Sequence, residues 1–171
     1  MDPFATLGLE RAFELDLVKA RAAHRELSRA LHPDRYVGAS ATERRQALAK
    51  AVEVNEAWRI VRDPIRRAEA LLALHGVHVV EDHRGGPTDP DFLMSILELR
   101  EALSEAKGAR DVDTVRRMAR DVEARLAATE RALTLGFERG EHESLVGTLG
   151  ELRFYRRFLD EVSAIEDELA A

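Results

Sequence analysis

Proline residues divide this chain into helical segments, and they constrain its fold more than any other feature of the sequence. Pro33, Pro64 and Pro90 each stand between stretches in which apolar residues recur at helical spacing. A proline disfavours helical backbone in the residue before it, so one helix has to end just before Pro33. Asp63 and Asp89 precede the other two prolines, and Asp-Pro is typical of a helix N-cap followed by the first helical residue. The breaks therefore predict several separate helices.

The composition agrees with a helical protein. Ala, Leu, Glu and Arg are abundant helix formers here, and only 5% of the residues are aromatic. The absence of cysteine excludes a disulfide framework, a thiolate zinc site, iron–sulfur ligation and a cysteine nucleophile from this chain. We expect an all-α fold with a short helical turn at 3–7 and helices at about 16–31, 40–62, 63–76, 90–107, 112–136 and 142–169.

A polar stretch that contains several glycines and histidines separates two parts of different charge. Residues 1–76 carry 13 basic and 11 acidic side chains, whereas the rest of the chain carries 13 basic and 21 acidic ones. We expect a first domain at 1–76, a linker at 77–88 and a second domain at 89–171. Short polar connections at 108–111 and 136–141 predict antiparallel neighbours, hence a three-helix bundle in the second domain.

Charge and hydropathy argue against two classes of partner. The formal net charge of −6 argues against a general nucleic-acid binder. The longest wholly apolar run, Ala70–Leu74, is far too short to cross a bilayer, and the N-terminus lacks the basic and apolar regions of a signal peptide. The sequence therefore predicts a cytoplasmic protein that binds neither nucleic acid nor a membrane.

The tripeptide His32-Pro33-Asp34 stands where a basic helix gives way to a loop. The proline fixes the turn, so the two polar side chains beside it can face a partner. Three arginines spaced four apart form a basic face on the preceding helix, and this face would attract an acidic surface. They are Arg21, Arg25 and Arg29. Alternatively, the tripeptide is only a helix stop and the arginines form an ordinary solvated face.

The residues that follow make the N-terminal part resemble a known module. The second long helix and the break after it carry Asn55, Ala57, Trp58, Val61, Asp63 and Pro64. Together with the His-Pro-Asp loop, this layout over the first 76 residues resembles the J-domain, a four-helix co-chaperone module. The resemblance implies a helical hairpin with short flanking helices, whose loop docks on the ATPase domain of a DnaK-class chaperone.

Motifs in both domains extend the resemblance to one family of J-domain proteins. Met1-Asp2-x-Phe4, followed by Leu7-Gly8-Leu9, is similar to the opening of the HscB family, the J-type co-chaperones of iron–sulfur cluster assembly. The family's pattern continues in the segments 67–76, 92–101 and 152–154. The resemblance therefore covers nearly the whole chain.

The resemblance implies two binding roles and no bond chemistry in this chain. The loop and the basic face would bind HscA, or another DnaK-type chaperone, and stimulate its ATP hydrolysis. The helical bundle would bind the scaffold protein IscU and deliver it to that chaperone. The implied chaperone-binding residues are His32, Pro33, Asp34, Arg21, Arg25, Arg29 and Arg35. The protein would then be no enzyme, and it would need no cofactor or metal.

The helix at 90–107 has more apolar surface than one core stripe needs. Phe92, Ile96, Leu99 and Leu103 share one face, and further apolar residues with acidic neighbours occupy an adjoining face. Such a patch is typical of a partner site, although a wide core-facing stripe is the alternative. Phe154 and Phe158 also stand off the main stripe of the last helix. With the resemblance, we predict a scaffold-binding surface at Leu93, Met94, Leu97, Glu98, Glu101 and Phe154.

Three positions depart from the usual J-domain pattern. Leu31 and Arg35 stand where Tyr and Lys are common, and His24 occupies a stripe position often held by an aromatic residue. The charge of the loop is kept, and we expect His24 at the edge of the core.

Other functions remain open alternatives. A J-domain protein with a different client would share the first domain but not the scaffold. A small hydrolase built on Ser28, His32 and Asp34 is disfavoured, because a catalytic triad needs a buried acid and an oxyanion hole. The loop histidines lack metal-ligand spacing and are expected to be solvated. They are His75, His78 and His83, with Asp82 beside them.

Overall fold

Helices make up both parts of the protein. The computed structural model describes residues 1–79 and 89–170, which form seven α-helices and one 3-10 turn with no β-strand among them. The all-α prediction is therefore confirmed. The chain divides into two compact units, Met1–His78 and Val79–Ala171. None of the helices in the described ranges is both long and apolar enough to cross a membrane.

The helix bounds follow the sequence breaks closely. The first unit contains α1 (Pro3–Leu7), α2 (Leu17–Ala30), the 3-10 turn (Pro33–Tyr36), α3 (Ala41–Arg62) and α4 (Pro64–Leu74). The second unit contains α5 (Pro90–Gly108), α6 (Val112–Arg139) and α7 (Leu145–Ala170). The predicted linker at 77–88 falls mostly on residues 80–88, which lie outside the described ranges.

The predicted N-caps are confirmed. The side chains of Asp16, Asp63 and Asp89 accept hydrogen bonds from backbone N–H groups in the first turns of α2, α4 and α5. Ser40 and Glu43 form a complete capping box, in which each side chain accepts from the backbone N–H of the other residue. These bonds satisfy N–H groups that have no partner inside the helix, so they fix where each helix begins.

The first unit is built on α3, against which α1, α2 and α4 pack. Its core consists of Phe4, Leu7, Phe13, Ala20, Ala47, Val54, Ala57, Val61, Ala68, Leu71 and Leu72. Arg67 of α4 is also buried, and its Nη1 donates to the carbonyl oxygen of Val61 at 2.7 Å. Its guanidinium lies over the ring of Phe13, 5.0 Å from the centroid. A buried arginine thus connects α4 to the last turn of α3.

The second unit is a bundle in which the direction of each helix follows from side-chain pairs. Phe92 near the start of α5 meets Tyr155 of α7, and Lys107 near its end pairs with Glu168 at 2.8 Å, so α5 and α7 run parallel. Arg116 at the start of α6 pairs with Glu166 at 3.0 Å, so α6 runs antiparallel to α7. The core includes Phe92, Leu103, Ala106, Val115, Met118, Val122, Phe154, Tyr155, Phe158, Val162 and Ile165.

The end of α6 lies three residues beyond the prediction. The helix was expected to end at about Gly136, but it continues to Arg139, and Gly140 ends it with a left-handed φ of 72°. Gly136 is buried inside the helix, and a Cβ there would overlap the side chain of Leu145. This glycine therefore allows the start of α7 to approach α6 closely and does not end the helix.

Candidate functional site

The His-Pro-Asp turn directly follows the end of α2. His32 is the N-cap of the 3-10 turn, and its Nδ1 accepts a hydrogen bond from the backbone N–H of Asp34 at 3.3 Å. Pro33 occupies the first position of the turn, where its missing N–H costs nothing. The N–H of Arg35 donates to the carbonyl oxygen of His32 at 3.0 Å, which closes the turn. The local sequence thus builds a short rigid corner.

The polar side chains of this corner face solvent. His32 and Asp34 are both exposed, and Oδ2 of Asp34 lies 3.4 Å from Nδ1 of His32. Nδ1 accepts the backbone N–H of Asp34, so it has no hydrogen to donate to the Asp34 carboxylate. Both side chains therefore keep hydrogen-bonding capacity for another molecule.

The basic face of α2 is also exposed. Arg21, Arg25 and Arg29 lie on the solvent side of the helix, and Arg35 is exposed within the turn. None of these four arginines forms an ion pair with any residue in the described ranges. Three unpaired arginines along α2 and a fourth in the turn produce a positive potential, which attracts an acidic surface.

His24 connects α2 to α3 behind this corner. Its Nε2 lies 3.0 Å from Oδ1 of Asn55 and 3.3 Å from Oγ of Ser28, and its ring stacks on Trp58. The prediction of a histidine at the edge of the core is confirmed, since the residue is half-buried. Ser28 is hydrogen-bonded to His24, and the bond to His32 that the hydrolase alternative requires is not among those of the described residues.

The metal alternative gains no support from the described residues. No three histidine or carboxylate side chains in the described ranges are grouped closely enough to hold a metal ion. His83 and Asp82 lie outside those ranges.

The second candidate surface lies on α5. Leu93, Met94 and Leu97 are 46%, 57% and 60% exposed, and Glu98 and Glu101 are exposed beside them. The alternative of a wide core-facing stripe is therefore wrong for these three apolar residues. Large apolar side chains that face solvent together on one helix are typical of an interaction site.

The prediction that Phe154 belongs to the exposed patch is wrong. Phe154 is 5% exposed and lies in the core, edge-on to Phe92 at 5.8 Å and tilted against Phe158 at 6.0 Å. Phe158 is buried as well. The reason is that α7 packs against both other helices of the bundle, so its apolar face is wider than one stripe.

Arg100 is a feature of the α5 surface that the sequence analysis missed. Its guanidinium lies over the Phe154 ring, 5.9 Å from the centroid, while the residue remains exposed. The spacing contained the signal, because Arg100 stands three positions after Leu97 and seven after Leu93 and so shares their side of the helix.

Two titratable groups of α7 have shifted pKa values. Burial, and then the nearby carboxylate of Asp89, raises the pKa of Glu151. Burial and the charge of Glu151 raise the pKa of Tyr155, against the opposing effect of a hydrogen bond with Arg125. Since Asp89 is the N-cap of α5, these groups lie beside the start of the exposed surface.

Comparisons with known proteins give a consistent result across the whole chain. The sequence model of a domain described as the HSCB C-terminal oligomerisation domain matches residues 88–163. A co-chaperone protein HscB homolog from Mannheimia succiniciproducens is 32% identical over 99% of this chain and 98% of its own. Another HscB homolog, from Cupriavidus taiwanensis, is 36% identical over 98% of this chain and 95% of its own.

Solved structures agree with the sequence comparison. Chaperone HscB from Vibrio cholerae is similar with a TM-score of 0.87 and 30% identity, covering 99% of both chains. The human co-chaperone protein HscB also matches with a TM-score of 0.87, at 25% identity, over 97% of this chain and 82% of the human one. The similarity therefore includes both units.

Proposed function

The chain belongs to the HscB family of co-chaperones, and on that premise we propose that it joins an ATP-hydrolysing chaperone to an iron–sulfur scaffold protein. The chaperone would be HscA or another DnaK-type ATPase, and the scaffold would be of the IscU type. The protein would stimulate ATP hydrolysis by the chaperone and deliver the scaffold to it in the cytoplasm. Bond chemistry would take place in the chaperone.

The observation that carries the proposal is the exposed corner at the end of α2. His32 and Asp34 face solvent from a turn that backbone hydrogen bonds hold in one shape. Their hydrogen-bonding groups are thus preorganised, which lowers the entropy cost of binding. Pro33 would keep the corner rigid, and His32 and Asp34 would supply the trigger.

The unpaired arginines support the same role. Arg21, Arg25, Arg29 and Arg35 would contact an acidic face of the chaperone and orient the corner toward it. Exposed charges of this kind mainly raise the association rate, so they would act before the trigger.

The α5 surface supports the scaffold role. Leu93, Met94 and Leu97 would bury their exposed area against the scaffold, with Glu98 and Glu101 at the rim. Phe154, which lies beneath this surface, would contribute to scaffold binding through the ring on which Arg100 rests. Holding both partners on one chain raises the effective concentration of the scaffold at the chaperone.

Single-turnover ATP hydrolysis by an HscA-type chaperone tests the proposal. The assay uses the full-length protein with and without IscU, beside a His32→Gln variant. A His78→Gln variant is the matched control, because His78 is exposed and lies outside both surfaces. We expect stimulation by the wild type and the control, an increase with IscU, and loss of stimulation in His32→Gln.

The other outcomes are equally informative. Stimulation that IscU does not change would keep the chaperone role and favour a J-domain protein with a different client. Failure to stimulate both an HscA-type and a DnaK-type chaperone would contradict the proposal.

A further inference from the structure

Sulfur atoms are few in this protein, and their exposure differs sharply. The sequence contains no cysteine and three methionines, Met1, Met94 and Met118. Met118 is 9% exposed and lies in the core of the second unit, whereas Met94 is 57% exposed on α5. Met1 is also exposed, but it belongs to the first unit. Met94 is therefore the accessible sulfur of the second unit.

Met94 occupies the middle of the exposed apolar surface of α5. Leu93 precedes it and Leu97 lies one turn further along, and both are exposed. The charged residues one turn before and after it are Asp91 and Glu98, and ionised carboxylates only accept hydrogen bonds. A polar atom added to the Met94 side chain would thus find no side-chain donor one turn away on the helix, and water would have to supply its hydrogen bonds.

We propose that Met94 is an oxidation site at which hydrogen peroxide reversibly weakens the binding of an IscU-type scaffold. The inference rests on the proposed function of the α5 surface and adds a form of regulation to it. The thioether sulfur attacks one oxygen of the peroxide, so an S–O bond forms and the O–O bond breaks. The other oxygen leaves as hydroxide and takes the hydrogen of the attacked oxygen as a proton. The sulfur is thus oxidised by two electrons to a sulfoxide, and the peroxide is reduced to water.

Oxidation of Met94 would change what the α5 surface can bury. The thioether is apolar and flexible, so it adapts to a partner surface, whereas the sulfoxide is polar and binds water. Burying the sulfoxide oxygen against an apolar partner face without a hydrogen-bond donor is unfavourable. Methionine sulfoxide reductases would restore the thioether and with it scaffold binding.

The chaperone-binding residues would be unaffected by the same oxidant. The His-Pro-Asp turn and the arginines of α2 contain no sulfur, and Met1 is the only methionine of the first unit. Oxidation would therefore separate the two proposed roles, because the protein would still stimulate ATP hydrolysis but would deliver less scaffold to the chaperone.

Peptide mass spectrometry and IscU-binding calorimetry on the same samples test the proposal. The full-length protein is treated with hydrogen peroxide, which is removed before IscU is added. We expect Met94 to oxidise much faster than Met118, and IscU binding to weaken roughly tenfold. Sulfoxide reductases that act on both sulfoxide epimers should restore the affinity. Stimulation of the chaperone without IscU should not change.

Two substitutions of Met94 provide matched controls. Met94→Leu keeps an apolar side chain of similar volume, so it should bind IscU within about threefold of the wild type and become insensitive to peroxide. This variant retains Met1 and Met118, so a loss of binding after treatment would place the cause elsewhere and overturn the proposal. Met94→Gln imitates the polarity of the sulfoxide and should weaken binding roughly tenfold without peroxide.

The remaining outcomes separate this inference from the proposed function. Oxidation of Met118 before Met94, or unchanged IscU binding after Met94 is oxidised, would overturn the inference alone. Failure of the untreated protein to bind IscU would contradict the scaffold role and the inference with it. Thermal unfolding of each sample verifies that the treated protein and the variants are folded.

Discussion

The imidazole of His24 stacks on the indole of Trp58, with ring centroids 5.3 Å apart and planes 16° apart. This contact joins α2 to α3, and the hydrogen bond from His24 to Asn55 lies beside it. Because His24 is only eight residues before His32, the pair helps to fix the direction in which α2 presents the His-Pro-Asp corner.

Replacing His24 should destabilise the first unit. The loss should be larger when both the ring stacking and the hydrogen bond are removed. His24→Phe keeps the stacking and loses the hydrogen bond, so it should lower the free energy of unfolding by about 1 kcal/mol. His24→Ala loses both and should cost about 2 kcal/mol. Urea unfolding measures both values, with Ser28→Ala as a control that removes only the 3.3 Å contact. Equal stability of His24→Ala and the wild type would show that the stack contributes nothing.

Arg67 should be far more sensitive to substitution than its neighbour Arg66. Arg67 is 8% exposed and donates to Val61 from inside the core, whereas Arg66 is exposed. A buried charged hydrogen bond is worth about 1.5–3 kcal/mol, so we expect Arg67→Met to lose roughly that amount. Arg66→Met should stay within about 0.5 kcal/mol of the wild type. Chemical denaturation measures the free energy of unfolding of both variants. Similar losses for the two would exclude a special role for the buried guanidinium.

Phe154 and Leu97 should separate stability from binding. Truncating a buried aromatic residue costs about 3–5 kcal/mol, so Phe154→Ala should lower the melting temperature strongly. Leu97→Ala removes an exposed side chain and should leave stability within about 0.5 kcal/mol, while scaffold binding falls. Calorimetry and a binding assay on the same samples test this pair. A stable Phe154→Ala protein would contradict the burial of that ring.

The raised pKa of Glu151 predicts that Glu151→Gln increases the free energy of unfolding by an amount that depends on pH. Burial, and then Asp89, favours the neutral carboxyl in the folded state. A raised folded-state pKa gives stability below the unfolded pKa, and that stability is lost as pH rises through the folded pKa. At neutral pH the variant should therefore be more stable than the wild type, and the difference should shrink toward pH 4.5, the ordinary value for this group.

Unfolding curves at neutral and acidic pH measure the difference for Glu151. Glu161→Gln is a suitable control, since Glu161 is exposed on the same helix. If Glu151→Gln stabilised the protein equally at both pH values, the charge of the carboxylate would not be the cause of the stabilisation.

The connection between α5 and α6 contains a residue whose replacement should stabilise the protein. Arg110 adopts a left-handed φ of 55°, a conformation that costs a non-glycine residue about 1 kcal/mol. Arg110→Gly should recover up to about 1 kcal/mol, less the higher entropy of glycine in the unfolded chain. Gly140→Ala, at a φ of 72° with no close neighbour, should show the opposite sign. Differential scanning calorimetry compares the two variants, and a loss in Arg110→Gly would contradict this account of backbone strain.

The helix starts could be predicted because their causes are local. Asp16, Ser40, Asp63 and Asp89 bond to N–H groups two or three residues away, and nothing distant competes with them. The end of α6 could not be predicted in this way. Glycine often ends a helix, but Gly136 is needed for the approach of Leu145, which comes from the next element.

The apolar residues of α5 and α7 also show that packing between helices could not be predicted from the sequence. The sequence left two alternatives for Leu93, Met94 and Leu97, because a helical pattern shows that residues share a face but not which face is covered. In the folded bundle these three side chains are exposed. Phe154 is buried instead, because two helices cover the apolar face of α7.

The hydrogen bond by which His32 caps the 3-10 turn also determines which hydrogen-bonding groups this turn presents to a partner. Because Nδ1 accepts the N–H of Asp34, the neutral imidazole must carry its hydrogen on Nε2. The ring thus points a donor outward, and the carboxylate two residues later provides acceptors. His32 therefore presents a donor beside the acceptors of Asp34. A surface that binds both has to supply an acceptor and a donor at the same spacing.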